Sequence, residues 1–212
     1  VAAAERVTLN TLVQAAWAIV LSRHAGEEDV VFGALRAGRK IPVEGADAMV
    51  GMFINTVPVR VQAAADEEIG PWLRRLREQW IAMREFEHAP LMKIQQCSGV
   101  APGQPLFETI LSYQEPAWDA VLNGLGGRWA TRRFDIRAQP NTPLALEVLA
   151  GVELTVKFIF DRARYHGEAV PRLMGQFRVV LDALAAGAGT RVGELPLLTA
   201  GEQHEILVTW NR

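Results

Sequence analysis

The chain is short of every residue set that would announce a reaction by itself. It holds one cysteine, Cys97, so no internal disulfide can form and a reducing cytoplasm is the expected setting. A lone cysteine without a local motif is read as a small hydrophobe. His24, His88, His166 and His204 are the four histidines, and none stands in an HxH or HExxH spacing or beside a CxxC pair, so no metal site is expected. No GxSxG elbow and no phosphate-cradling glycine loop occurs. Net charge is −2 and the pI is about 6.1, so there is no basic field to gather nucleic acid. No apolar run reaches the roughly 18 residues that span a bilayer, and Val1–Arg6 lacks the order of a secretory leader. From the residues alone we expect no catalytic set, no bound cofactor, and neither nucleic acid nor membrane as partner.

Half of the 212 residues are hydrophobic, enough for one sizeable lobe with its own core. Leu9, Leu12, Val13, Ala16, Trp17, Val20 and Leu21 recur at helical steps, with Thr8 or Asn10 as the start cap and Gly26 past the end. Strands are predicted at Asp29–Ala34, Met52–Val61, Leu106–Gln114, Arg128–Arg137, Leu144–Leu149 and Glu153–Asp161. Ala150-Gly151 is a hairpin candidate between the last two. Further helices are predicted over Glu67–Glu87, from Pro90 to Cys97, and over Glu168–Ala185. The outer face of the first of these carries Arg74, Arg75, Arg77 and Glu78, read as a solvated surface. Thr199 and Glu202 form a capping box that opens a short tail helix. Helices alternate with strands, including antiparallel hairpins. The fold class is therefore α/β, a mixed β-sheet covered by helices.

Two segments carry more than periodicity. Residues 50–60 read VGMFINTVPVR, which resembles the condensation-domain motif VGxFxNTxPxR of nonribosomal peptide synthetases at every fixed position. Residues 105–114 read PLFETILSYQ, similar to that family's PLFxxxFxxQ with Leu111 where Phe is usual. Asn141-Thr142-Pro143-Leu144 resembles its NxPL segment, and residues 195–211 resemble the linker toward an adenylation domain. EHAPL at 87–91 keeps only the proline of the family's HQDxPFE. The family's HHxxxDG, which carries its catalytic histidine, is not found.

The resemblance implies one lobe, the C-terminal one, of a chloramphenicol-acetyltransferase-like pseudodimer over 1–194, with the linker beginning over 195–212. It implies amide formation between carrier-bound aminoacyl or peptidyl thioesters, with substrates arriving on phosphopantetheine and no cofactor bound by this chain. The implied partners are the N-terminal lobe, peptidyl carrier proteins and the adjacent adenylation domain. Gly51, Phe53, Asn55, Thr56, Arg60 and Asn141 are the motif residues, serving either the strand and its turn or the substrate tunnel. Asn55 is the leading polar candidate for the tunnel, and Gly51 is read as a position that tolerates no side chain. A floor loop would lie within Arg36–Asn55 and a latch within Gly126–Pro143. Leu197, Leu198 and Trp210 are candidate docking residues. The alternative is a non-catalytic docking domain that positions a carrier protein or adenylation domain. A free-standing acyltransferase would need its own HHxxxDG.

Overall fold

A computed structural model describes residues 2–39, 43–46, 48–101, 103–114, 123–131, 140–187 and 189–211. Its first helix, α1 (Leu9–Ala25), opens at Thr8, whose side chain accepts from the Thr11 N–H, and closes at Gly26 in the left-handed region. Both ends therefore meet their orphan backbone groups. The expected one-sided stripe is corrected here: every residue from Thr11 to Val20 is buried. Such a helix runs through the interior, and its small residues Ala15, Ala16 and Ala18 let neighbours approach from all sides.

Five strands form one sheet: β1 (Asp29–Arg36), β2 (Asn55–Gln62), β3 (Thr109–Gln114), β4 (Leu144–Ala150) and β5 (Leu154–Phe160). The order is β2-β1-β3-β4-β5, with β1/β2 and β4/β5 antiparallel and β1/β3 and β3/β4 parallel. The hairpin expected at Ala150-Gly151 joins β4 to β5. Three helices, α1, α2 (Ile69–Ala82) and α4 (Ala169–Ala186), share one core with one face of this sheet. That face presents Val30, Phe32, Ala34, Val59, Val61, Leu111, Leu146 and Val148. By strand alternation Thr56, Ile110, Ser112, Ala145, Glu147 and Ile159 point the other way. A short helix, α3 (Leu91–Cys97), and the tail helix α5 (Ala200–His204) complete the set.

Trp17 ties the layers together. It is fully buried, its Nε1 donates to Thr109 Oγ1 on β3 (3.2 Å), and its ring meets Phe158 and Phe177 edge-on at 6.0 and 6.4 Å. Burying aromatics of this size dominates core energetics, at about 3–5 kcal/mol each against truncation. Trp72 does the same for α2, donating from Nε1 to the Gln62 carbonyl (2.7 Å). The arginines of α2's outer face are partly used within the chain: Arg74 pairs with Glu5 and Arg75 with Glu67.

Several elements differ from expectation, beyond shifts of one or two residues at other strand ends. β2 begins at Asn55 rather than Met52, because the ladder with β1 ends at Arg36 opposite Asn55 and Gly38 (φ 66°) then turns the chain away. Met52 and Ile54 are left exposed. β3 begins at Thr109 rather than Leu106, because Phe107 lies over the sheet against Gly33. The strand expected over Arg128–Arg137 opens as a 3-10 turn at Gly127–Trp129, and residues 132–139 lie outside the described residues. The helix expected over Glu67–Glu87 stops at Ala82 and tightens to a 3-10 turn over Met83–Phe86.

The tail is held from within. Leu195 is in the core and Leu197 packs against it. Glu202 caps the Thr199 N–H (2.8 Å) and accepts from Gln176 Nε2 (2.8 Å), while buried Gln176 accepts from His24 Nε2 (2.6 Å). Burial pushes the Glu202 carboxyl up, but hydrogen bonds from the Thr199 backbone and hydroxyl and from Gln176, with Arg172 nearby, outweigh it and hold the group below its ordinary value. A depressed carboxyl stabilises above its unfolded value, about 4.3, and that stability is lost as pH falls through the folded value. Amide exchange over 200–209 should therefore accelerate below about pH 4, while that of 12–20 does not. Thr199→Ala should weaken the tail helix by about 1 kcal/mol at neutral pH in the same measurement.

Candidate functional site: a cleft on the open sheet face

A cleft of about 520 Å³ lies on the face of the sheet away from α1 and α4. Its lining includes Leu35, Thr56, Leu91, Phe107, Ile110, Ser112, Gln114, Asn141, Glu147 and Ile159. The surface is mostly apolar with a few polar groups, the usual character of a small-molecule site. Phe107 reaches the face because Gly33 has no side chain: a Cβ there would sit 2.5 Å from the Phe107 ring. A second, more polar hollow of about 410 Å³ adjoins it, lined by Pro140, Asn141, Thr142, Asp161, Arg162 and Arg164. Asn141 belongs to both.

The motif residues separate on this map. Thr56 and Asn141 line the cleft, although they are distant in sequence. Asn55 does not. Its Nδ2 donates to the carbonyls of Glu87 and Ala89 at 2.8 and 2.9 Å, and its Oδ1 accepts from the Thr56 N–H at 3.0 Å. Asn55 thus pins the turn on either side of His88, and the chain leaving that turn brings Leu91 to the cleft wall. Glu87 is buried in an ion pair with Arg36, whose guanidinium stacks on Trp80 at 3.8 Å. An ion pair this dry costs desolvation, and removing one partner alone leaves an uncompensated charge.

Phe53 is not on a strand. It lies under Arg39, 4.6 Å from guanidinium carbon to ring centroid. Arg39 also donates to the carbonyls of Ala46, Met49 and Gly51, so one side chain gathers the loop. Gly51 is corrected: a Cβ there would meet only the Phe53 ring at an ordinary 3.7 Å, and its φ lies outside the left-handed region. The glycine this loop requires is Gly38, where a Cβ would stand 2.1 Å from the Phe53 carbonyl oxygen. Arg60 lies outside the cleft lining in an exposed bidentate pair with Asp29, and that hydrogen-bonded guanidinium lowers the Asp29 carboxyl below its ordinary value. Of the docking candidates, Leu197 and Leu198 are half-buried, and Trp210 is 69% exposed beside equally exposed Leu207. The floor-loop span includes residues 40–42 and 47, and the latch span residues 132–139, all outside the described residues.

Sequence reasoning passed over Arg36, Gly38, Arg39, Ser112 and Glu147, and it met Gln114 only as the last position of a motif. For Glu147 a signal was present: it is the one charged residue in the strand LALEVLA, at a position alternate to Leu144, Leu146 and Val148. Among the described residues no group of three His, Cys, Asp or Glu side chains could hold a metal ion.

The chain is a layered α/β lobe, a mixed five-stranded sheet whose open-face cleft draws residues from three motif segments. The profile of the condensation domain matches residues 1–207, and the chain belongs to that family. It is 38% identical over 209 residues to a linear gramicidin synthase of Brevibacillus parabrevis, covering 98% of this chain and 4% of that protein. It is 35% identical over 207 residues to a chondramide synthase of Chondromyces crocatus, covering 97% of this chain and 5% of that protein. Among solved structures, a four-domain nonribosomal peptide synthetase bound to AMP and glycine superposes with a TM-score of 0.77 at 16% identity, over 92% of this chain and 16% of that one. The first condensation domain of the CDA synthetase superposes with a TM-score of 0.69 at 21% identity, over 93% of this chain and 44% of that one. The chain thus spans a few per cent of its curated relatives and under half of a solved condensation domain.

Substitutions at the two loop glycines should separate. Gly38→Ala should lower stability by about 2 kcal/mol or more, from the close carbonyl and the positive φ, whereas Gly51→Ala should change it by less than about 0.5 kcal/mol. Asn55→Ala should cost about 1–3 kcal/mol by freeing two carbonyl partners and should speed amide exchange at 86–91. Denaturant unfolding with site-resolved exchange reads all three.

Proposed function

We propose that this chain is the C-terminal lobe of a nonribosomal peptide synthetase condensation domain and supplies one wall of its substrate tunnel. The observation that carries the reading is convergence. Residues from 50–60, 105–114 and 141–144, the three segments that resemble family motifs, contribute Thr56, Phe107, Gln114 and Asn141 to one cleft.

In this reading the acceptor's amine nitrogen bonds to the donor's carbonyl carbon. The carbon–sulfur bond then breaks, and the donor thiol leaves with the proton that the amine gives up. The histidine of HHxxxDG comes from the N-terminal lobe. This chain contributes orientation: two tethered reactants held in line gain much of their rate from proximity alone. Substrates enter on the phosphopantetheine arms of carrier proteins, and the chain binds no cofactor of its own. The loop gathered by Arg39 exposes Met49, Val50, Met52 and Ile54, a run of apolar side chains suited to covering by the N-terminal lobe. Exposed Leu207 and Trp210 at the end of the tail, with half-buried Leu198 before them, are the side chains offered to an adenylation domain in this reading, whereas Leu197 packs against this lobe's own core. No helix of the described residues is long and apolar enough to cross a membrane. The lone cysteine suits a reducing cytoplasm as the working place in this reading.

The test is amide formation from two loaded carrier proteins. The intact condensation domain should form product, and the 212-residue chain alone should not exceed the uncatalysed background. Thr56→Val with Asn141→Ala in the intact domain should lower kcat/KM about tenfold, the loss of roughly 1.4 kcal/mol of polar contact, without moving Tm. Product from the chain alone, or unchanged kcat/KM in the double variant, overturns the reading; an intact domain that forms none marks a docking module instead.

A further inference from the structure

We propose that Glu147 is the seat for an amine or ammonium nitrogen of a substrate lying in the cleft, and that it selects which nitrogens the cleft accepts. The proposal rests on the reading of the cleft as a substrate tunnel wall.

Glu147 stands in the middle of β4, on the open face, with Ser112 of β3 on one side of it and Lys157 of β5 on the other. Its side chain is 16% exposed. An ionised carboxylate can accept about four hydrogen bonds, and burying one without them is expensive. Among the described residues two side chains touch the Glu147 carboxylate, a hydrogen bond from Gln114 and an ion pair with Lys157, both long. Gln114 Nε2 lies at 3.5 Å, the limit of a hydrogen bond, and Lys157 Nζ lies at 3.6 Å. Lys157 is 45% exposed and does not line the cleft. Among the described residues most of the carboxylate's acceptor capacity is therefore unspent, in a hollow whose described lining also includes apolar Leu35, Phe107, Ile110 and Ile159.

The sign of the site follows from the same lining. Among the described residues Glu147 is the only ionisable side chain on the cleft wall. Low polarity around it strengthens its field, and the one described cation beside it, Lys157, stands outside the lining and is partly in solvent, where its opposing charge is screened. A cationic nitrogen, or the N–H of a neutral amine, would complete the carboxylate with a charge-assisted bond of about 2.7–2.9 Å. An anionic group would meet repulsion. Two sources fit this chemistry: the α-amine of the acceptor aminoacyl group, and a basic side chain on either substrate.

The experiment compares probes on the intact condensation domain. An aminoacyl pantetheine thioester and its des-amino analogue are titrated by competition against the wild-type protein and Glu147→Gln, which keeps shape and the Gln114 contact. The amino probe should bind the wild type about tenfold tighter than the des-amino one, and Glu147→Gln should bind the two alike. A third probe with a blocked α-amine and a basic side chain identifies the source: loss of preference confined to it assigns the side chain. A wild-type preference that persists in Glu147→Gln overturns the proposal and leaves the cleft reading standing. If the wild type binds none of the probes, both fall. Glu147→Asp, which keeps the charge one carbon further back, should retain a reduced preference, and it decides the matter should Glu147→Gln fail to fold.

Discussion

The rest of the structure depends on where Trp17 sits. Its ring is enclosed by β3, β5 and α4, and its one polar atom is satisfied by Thr109 on β3. An indole with no exposure and a met N–H can hold only one depth and one rotation, so α1 is locked against one face of the sheet. Once α1 is there, α2 and α4 can bury their own apolar sides only around it. All three long helices then crowd one face of the sheet. The opposite face receives none of them, and it is there that Thr56, Gln114, Asn141 and Glu147 meet over a shared hollow.

The polar side chains divide between two tasks. Some hold the backbone so that others can face the cleft. Asn55 and the Arg36–Glu87 pair fix the turn around His88, and Arg39 fixes the loop before β2. None of the four contributes to the cleft lining. Asn55 and Thr56 are adjacent in the chain, yet strand alternation sends them to opposite sides of the sheet, one to a turn and one to the hollow. A motif read as a single functional unit is in this sense two units interleaved.

Much of this was legible in the sequence, and the limits have physical causes. Helix ends were readable because Thr8, Gly26, Thr199 and Glu202 act within a few residues of themselves. The β4/β5 hairpin was readable because period-two alternation is local. The start of β2 was not, since it depends on where β1 runs out of partners and on a glycine, Gly38, whose necessity comes from Phe53, far along the loop. The all-round burial of α1 was hidden because alanine fits a helix face and a helix interior equally well. Family resemblance singled out Thr56 and Asn141, and the structure places both on one cleft. For Asn55 the sequence left open a structural or a tunnel role, and its partners at 87 and 89 were not readable because they are set by tertiary contact rather than by spacing. Glu147 showed as a lone charge in an apolar strand, a signal whose meaning needs the sheet to be assembled.

The hydrogen-bonded series His24, Gln176, Glu202, Thr199 runs from the end of one interior helix, through the middle of another, to the first turn of the last. Each bond is directional, and Gln176 at the centre of the series is buried. The first turn of the tail helix is therefore set against α1 and α4 by directional bonds as well as by apolar contact, so its bearing on the lobe is fixed by the same two helices that brace the back of the sheet.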